Sequence, residues 1–114
     1  MSSRTKGYLY DILATGRLIV ESTTDKTFDE YQADVGLQHQ IERELTIIGE
    51  ALARIKAIDE SLAARITGCD GFIGLRNILN HQYPNINHET IWGTIRTEIP
   101  TLIRESEQLL SDDL

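Results

Sequence analysis

Cysteine occurs once in this 114-residue chain, proline twice, and aromatic side chains make up only 6% of it. Each scarcity excludes something. A single thiol, Cys69, cannot form an internal disulfide, so the fold must rest on a packed core, and a reducing compartment is expected. No repeat or low-complexity linker divides the sequence, which reads as one domain over residues 1–114 with one modest core. No apolar run approaches the length of a membrane span, and "MSSRTKGYLYDILATG" lacks the uninterrupted hydrophobic stretch of a signal peptide, so a cytoplasmic location is expected. Basic residues are also short: 11 Lys and Arg against 18 Asp and Glu leave a net charge of −7. That balance argues against a broad phosphate-binding surface and favours a small, focused cationic site.

Metal ligands are scarce as well. His39, His81 and His88 fall into no ligand spacing, and Cys69 has no histidine nearby in sequence, so it reads as an inert small residue. No metal and no cofactor is expected.

What the chain does have is helical periodicity. Tyr8, Leu9, Ile12, Leu13, Ile19 and Val20 predict a first helix from about Arg4 to Ser22. Thr27 and Glu30 form a capping-box pair that opens a short helix ending near Ala33. Asp34 caps the longest helix, striped by Leu37, Ile41, Leu45, Ile48, Leu52 and Ile55 at spacings of four and three. "DESLAARITG" reads as a short helical turn stopped by Gly68. A fourth helix spans about Asp70 to Gln82, ended by Pro84. Asn87 caps a last helix carrying Ile91, Ile95, Ile99, Leu102 and Leu109, in which Pro100 should produce a kink. No alternating β pattern appears. The expected fold is all-α, a four-helix up-and-down bundle plus one or two short helices.

The fourth helix has an unusual polar face. At about 100° per residue, Phe72, Leu75, Leu79 and Ile78 fall on one arc facing the core, with Ile73 as an exception. The opposite arc holds Arg76, Asn80, Asn77, His81 and Gly74, and Tyr83 lies at its border. Asn77 and His81, four apart, share a face and can hydrogen-bond, fixing the imidazole tautomer. Arg76 and His81, five apart, do not touch on an ideal helix. An imidazole can move a proton to or from a ribose or leaving oxygen, and a guanidinium can hold the phosphate as charge builds. These are parts of a metal-free phosphodiester cleavage. A second histidine is missing, but a dimer formed around this face would supply it, and Gly74 would let the backbones approach. Glu50 could stand behind the site as an acceptor, although a surface carboxylate is the simpler reading.

At these residues the chain resembles a known family. Arg76-Asn77 followed by His81 and Tyr83, R-N-x-x-x-H-x-Y, looks like the signature of the HepT-like toxins of the HEPN superfamily. "YLYDIL", "FDEYQAD", "IIGEAL" and "IWGTIRTEIPTL" extend the likeness over most of the chain. The resemblance implies an all-helical homodimer whose motifs meet in a cleft. It implies an endoribonuclease toxin, with Arg76 and His81 as the catalytic pair and Asn77 orienting them. It also implies a partner, an MntA-like nucleotidyltransferase antitoxin that transfers AMP from ATP onto Tyr83. The competing reading is a non-catalytic helical subunit that binds such a nucleotidyltransferase.

Overall fold

A computed structural model describes residues 1–81 and 86–114. Among the described residues seven α-helices follow one another: α1 (Ser3–Thr23), α2 (Phe28–Ala33), α3 (Val35–Ile58), α4 (Glu60–Ala63), α5 (Cys69–Asn80), α6 (His88–Gly93) and α7 (Ile99–Asp112). A π-helical turn, Thr94–Glu98, joins the last two into one long helix. Among the described residues there is no strand, and no helix is long and apolar enough to cross a membrane.

The helix starts are set locally. Thr27 and Glu30 complete the capping box, each side chain bonding the other's backbone N–H. Asp34 accepts from the Leu37 N–H and Asn87 from the Thr90 N–H, so both polar caps stand where their sequence places them. Ser2, Asp59 and their N3 amides repeat the device at α1 and α4.

One local expectation is corrected. The turn at Glu60–Ala63 has already ended before Gly68, which instead precedes α5 with φ of 75°, a left-handed conformation that glycine adopts without penalty. Pro100 stands inside the continuous run of α6, the π turn and α7, and the π turn widens the hydrogen-bond ladder just upstream of the N–H that proline lacks.

Four long segments pack up and down. Gln40 of α3 donates to Ser22 at one end of α1, while Tyr8 shares a groove with Ala51 at the other. Lys6 pairs with Asp113, and Arg17 with Glu107, so α7 runs back along α1. Lys56 pairs with Asp70 at 2.8 Å, and Gly49 abuts Arg76, so α5 runs back along α3. The periodic residues are buried: Leu9, Ile12, Ile19, Ile41, Ile48, Leu52, Ile55, Ile99 and Leu102 are all closed to water. At about 1.5–3 kcal/mol for each side chain removed from water, this core is the main stabilising term.

A second cluster ties α2 to α6. The buried Tyr31 hydroxyl meets His88 Nδ1 at 3.1 Å, Gln38 donates to the Tyr31 and Gln32 carbonyls, and Arg96 lies 4.3 Å over the Trp92 ring. His88 is thereby accounted for as a packing partner, and burial pushes the Tyr31 phenol up.

Glu44 is the one buried carboxylate of α3, and burial raises its pKa above the ordinary 4.5, with the Gln40 amide opposing. A carboxyl with a raised folded-state pKa contributes stability that is complete below the unfolded value and is lost as pH rises through the folded one. Glu44→Gln should therefore melt higher than the parent at pH 7. The two melting temperatures should converge as pH falls below about 4.5, which a pH series of thermal unfolding curves will show.

Candidate active site

The α3–α5 seam positions the first candidate. A β-carbon placed on Gly49 would stand 2.4 Å from Arg76 Cβ and 2.8 Å from the Phe72 carbonyl oxygen, so only glycine permits this approach. Arg76 thereby enters the seam. Its side chain is 20% exposed, its Nη1 lies 4.0 Å from Glu50 Oε1, and its buried Nε has no hydrogen-bond partner among the described residues. Glu50, 52% exposed, is thus a carboxylate beside the candidate guanidinium as well as a surface group.

This arrangement turns α5 away from the helical-wheel expectation. Phe72 is buried and Leu75 and Leu79 are half-buried, as expected, but Ile78 is 45% exposed and Ile73 packs on the core. Gly74 does not lie on the polar arc. With Gly71, Phe72, Leu75, Ile78, Thr90 and Thr94 it lines an apolar groove of about 440 Å³ beside the last helix, and a β-carbon there would meet nothing. The reason is the Gly49 seat: drawing Arg76 and Phe72 toward α3 rotates the apolar arc partly into solvent.

His81 follows the last helical residue, Asn80, and is exposed. Its Nδ1 lies 2.7 Å from the Asn77 backbone carbonyl, which also accepts the His81 N–H at 3.3 Å. A carbonyl only accepts, so Nδ1 carries a proton and the lone pair of the neutral ring is on Nε2. The tether fixing the tautomer is therefore the Asn77 main chain, rather than its side chain as the i,i+4 spacing suggested. Asn77 and Asn80 are both exposed. The structure places Arg76 beside Glu50 in the α3–α5 seam and ties His81 to the Asn77 carbonyl at the end of α5, whereas Tyr83 lies outside the described residues.

Sequence reasoning missed Gly49. The signal was present, since a glycine inside a long amphipathic helix costs roughly 1 kcal/mol and marks a close approach. Cys69 is buried, and burial pushes its thiol up, away from the reactive thiolate. Among the described residues no group of three or more His, Cys, Asp and Glu is placed to share an ion.

The motif and its helical frame can be compared with known proteins. The family model described as "Ribonuclease HepT-like" matches residues 12–109. The chain belongs to the HepT-like ribonuclease family. Several relatives are similar over nearly their whole length. The Methanocaldococcus jannaschii protein named "Putative RNase MJ0127" is 35% identical over 109 residues, covering 94% of this chain and 88% of its own. "Putative RNase MJ0125" of the same organism is 31% identical over 94% of this chain and 91% of its own. "Probable ribonuclease HepT" of Thermococcus cleftensis is 31% identical over 96% and 98% respectively. No solved structure matches the chain. As a HepT-like ribonuclease, the protein is an RNA-cleaving enzyme by family, and its helical frame presents the R-N-x-x-x-H part of the motif at the end of α5.

Proposed function

We propose that this single-domain chain is the toxin of a cytoplasmic toxin–antitoxin pair, a metal-independent endoribonuclease acting as a homodimer. The observation that carries the reading is the tethered His81 imidazole placed five residues beyond a partly buried Arg76 in a HepT-like chain. In this scheme Nε2 of one His81 takes the proton of a ribose 2′-hydroxyl as its oxygen attacks phosphorus. The partner subunit's His81, in its protonated form, gives a proton to the departing 5′-oxygen as the P–O5′ bond breaks. Arg76 from each subunit stabilises the charge on the phosphoryl oxygens, and Glu50 holds the guanidinium in place. The products are a 2′,3′-cyclic phosphate and a 5′-hydroxyl.

The dimer is supported by the exposed Ile78 and the apolar groove beside it, which a second copy would cover. Neutralisation follows from the motif: the Tyr83 phenolic oxygen attacks the α-phosphorus of ATP on an MntA-like nucleotidyltransferase, and pyrophosphate leaves. The added phosphate then competes for Arg76 and His81.

Purified protein should cut single-stranded RNA in EDTA and leave cyclic phosphate ends. Co-expression with the nucleotidyltransferase encoded beside it should add adenylate to Tyr83, seen by intact mass, and abolish cutting. Failure of unmodified protein to degrade any RNA would overturn the reading.

A further inference from the structure

Glu50 has two neighbours on its own stripe of α3: Arg43, seven residues before it, and Arg54, four after. Side chains at these spacings share a helix face. With Tyr8 and Asp11 of α1 they line an open groove of about 420 Å³ between α1 and α3. Both arginines are exposed, and among the described residues neither forms an ion pair, so each guanidinium is open to an anionic ligand. Asp11 and Glu50 are the carboxylates of the groove, and Glu50 is turned to Arg76, which leaves Arg43 and Arg54 with Asp11 as the remaining acid of the lining.

The strip is aligned with the candidate active site. Since α3 and α5 are antiparallel, with Gly49 opposite Arg76 and Lys56 paired to Asp70, the Arg43 end lies toward His81 and the Arg54 end toward the start of α5. Arg43 and Arg54 are roughly 16 Å apart along the helix axis. Tyr8, half-buried against the core, presents an aromatic surface in the same groove, toward its Arg54 end, since Ser22 of the antiparallel α1 meets Gln40.

Resting on the ribonuclease reading, we propose that this groove is the track for the ribose-phosphate backbone of single-stranded RNA. Arg43 and Arg54 hold phosphates on either side of the scissile bond, and Tyr8 stacks on a base. Separated guanidiniums with an aromatic platform beside them are what a flexible charged strand needs, because phosphates bring affinity and any base offers a ring face. A net acidic protein can recruit RNA this way, since the surrounding carboxylates discourage binding elsewhere.

The test uses a short fluorescein-labelled single-stranded RNA bound to the full-length His81→Ala protein, which leaves the strand uncut. Arg43→Gln and Arg54→Gln should each weaken binding about three- to tenfold. Each should lower the slope of log Kd against log salt by about 0.7. Tyr8→Leu should weaken binding roughly fivefold or more with the slope unchanged. Arg17→Gln and Arg65→Gln, distant paired arginines, should do neither. In the active protein, Arg43→Gln/Arg54→Gln should raise KM far more than it lowers kcat. A parent that cuts RNA while this double variant keeps its KM and salt slope overturns the track and leaves the ribonuclease reading intact. The track is equally overturned if the double variant loses only the binding of an acidic protein partner. A parent that binds RNA with the groove-dependent slope but never cuts it overturns the ribonuclease reading and supports the track.

Discussion

His81→Ala is expected to lower the rate of RNA cleavage by about 10²–10⁴-fold while leaving the fold intact. His81 is exposed, so removing the ring takes nothing from the core. Single-turnover cleavage of an end-labelled RNA, with thermal unfolding of the same preparation, separates lost chemistry from lost structure. Asn77→Ala makes the useful comparison. The Nδ1 tether uses the Asn77 carbonyl, which alanine retains, so the imidazole keeps its tautomer in that variant. Activity should fall much less than in His81→Ala. A fall of equal size would assign the Asn77 amide a direct contact with RNA, and unaltered cutting by His81→Ala would remove the histidine from the mechanism.

Gly49→Ala should be the most damaging single methyl group that can be added to the protein. Its β-carbon would overlap Arg76 Cβ and, more seriously, the Phe72 carbonyl oxygen, which belongs to helical backbone and cannot swing aside. Overpacking of this kind costs about 1–3 kcal/mol and exceeds the roughly 1 kcal/mol that alanine gains over glycine in a helix. Separation of α5 from α3 would also carry Arg76 away from Glu50, so RNA cleavage should fall along with stability. Gly7→Ala, in α1, is the control: nothing lies within reach of its β-carbon, and only the gain in helix propensity remains. Denaturant unfolding should show the two substitutions shifting the midpoint in opposite directions. A stable, fully active Gly49→Ala protein would mean that the seam accommodates more than this geometry allows.

Those two glycines show what could be read in advance and what could not. Helix positions followed from local rules, because Thr27, Asp34 and Asn87 cap their own helices and the α3 stripe is regular enough to define a buried face without knowledge of its neighbours. Pro84 put the end of α5 at about Gln82 by an equally local rule, two residues beyond the observed Asn80. Orientation of α5 was not legible. Its apolar residues spread over a wide arc, so the wheel allowed several rotations, and the choice among them was made by a glycine on a different helix. Arg76 was assigned to the polar face because arginine usually belongs there, yet a seat opposite Gly49 buries its stem and its Nε. Gly68 misled in a related way: it was read as the stop of one helical turn, whereas it stands at the start of α5. The groove of Arg43 and Arg54 depends on how α1 sits against α3, which no single-helix pattern contains.

The half-submerged guanidinium of Arg76 has one more consequence. Most cations on a protein must shed a hydration shell before they can grip a phosphate, and that loss offsets much of the attraction. Here part of that loss, the drying of the stem and of Nε, is complete once the chain has folded, whether or not a nucleic acid is nearby. An incoming phosphoryl oxygen would meet a guanidinium with less water left to displace, beside a low-dielectric seam, as negative charge accumulates during bond cleavage.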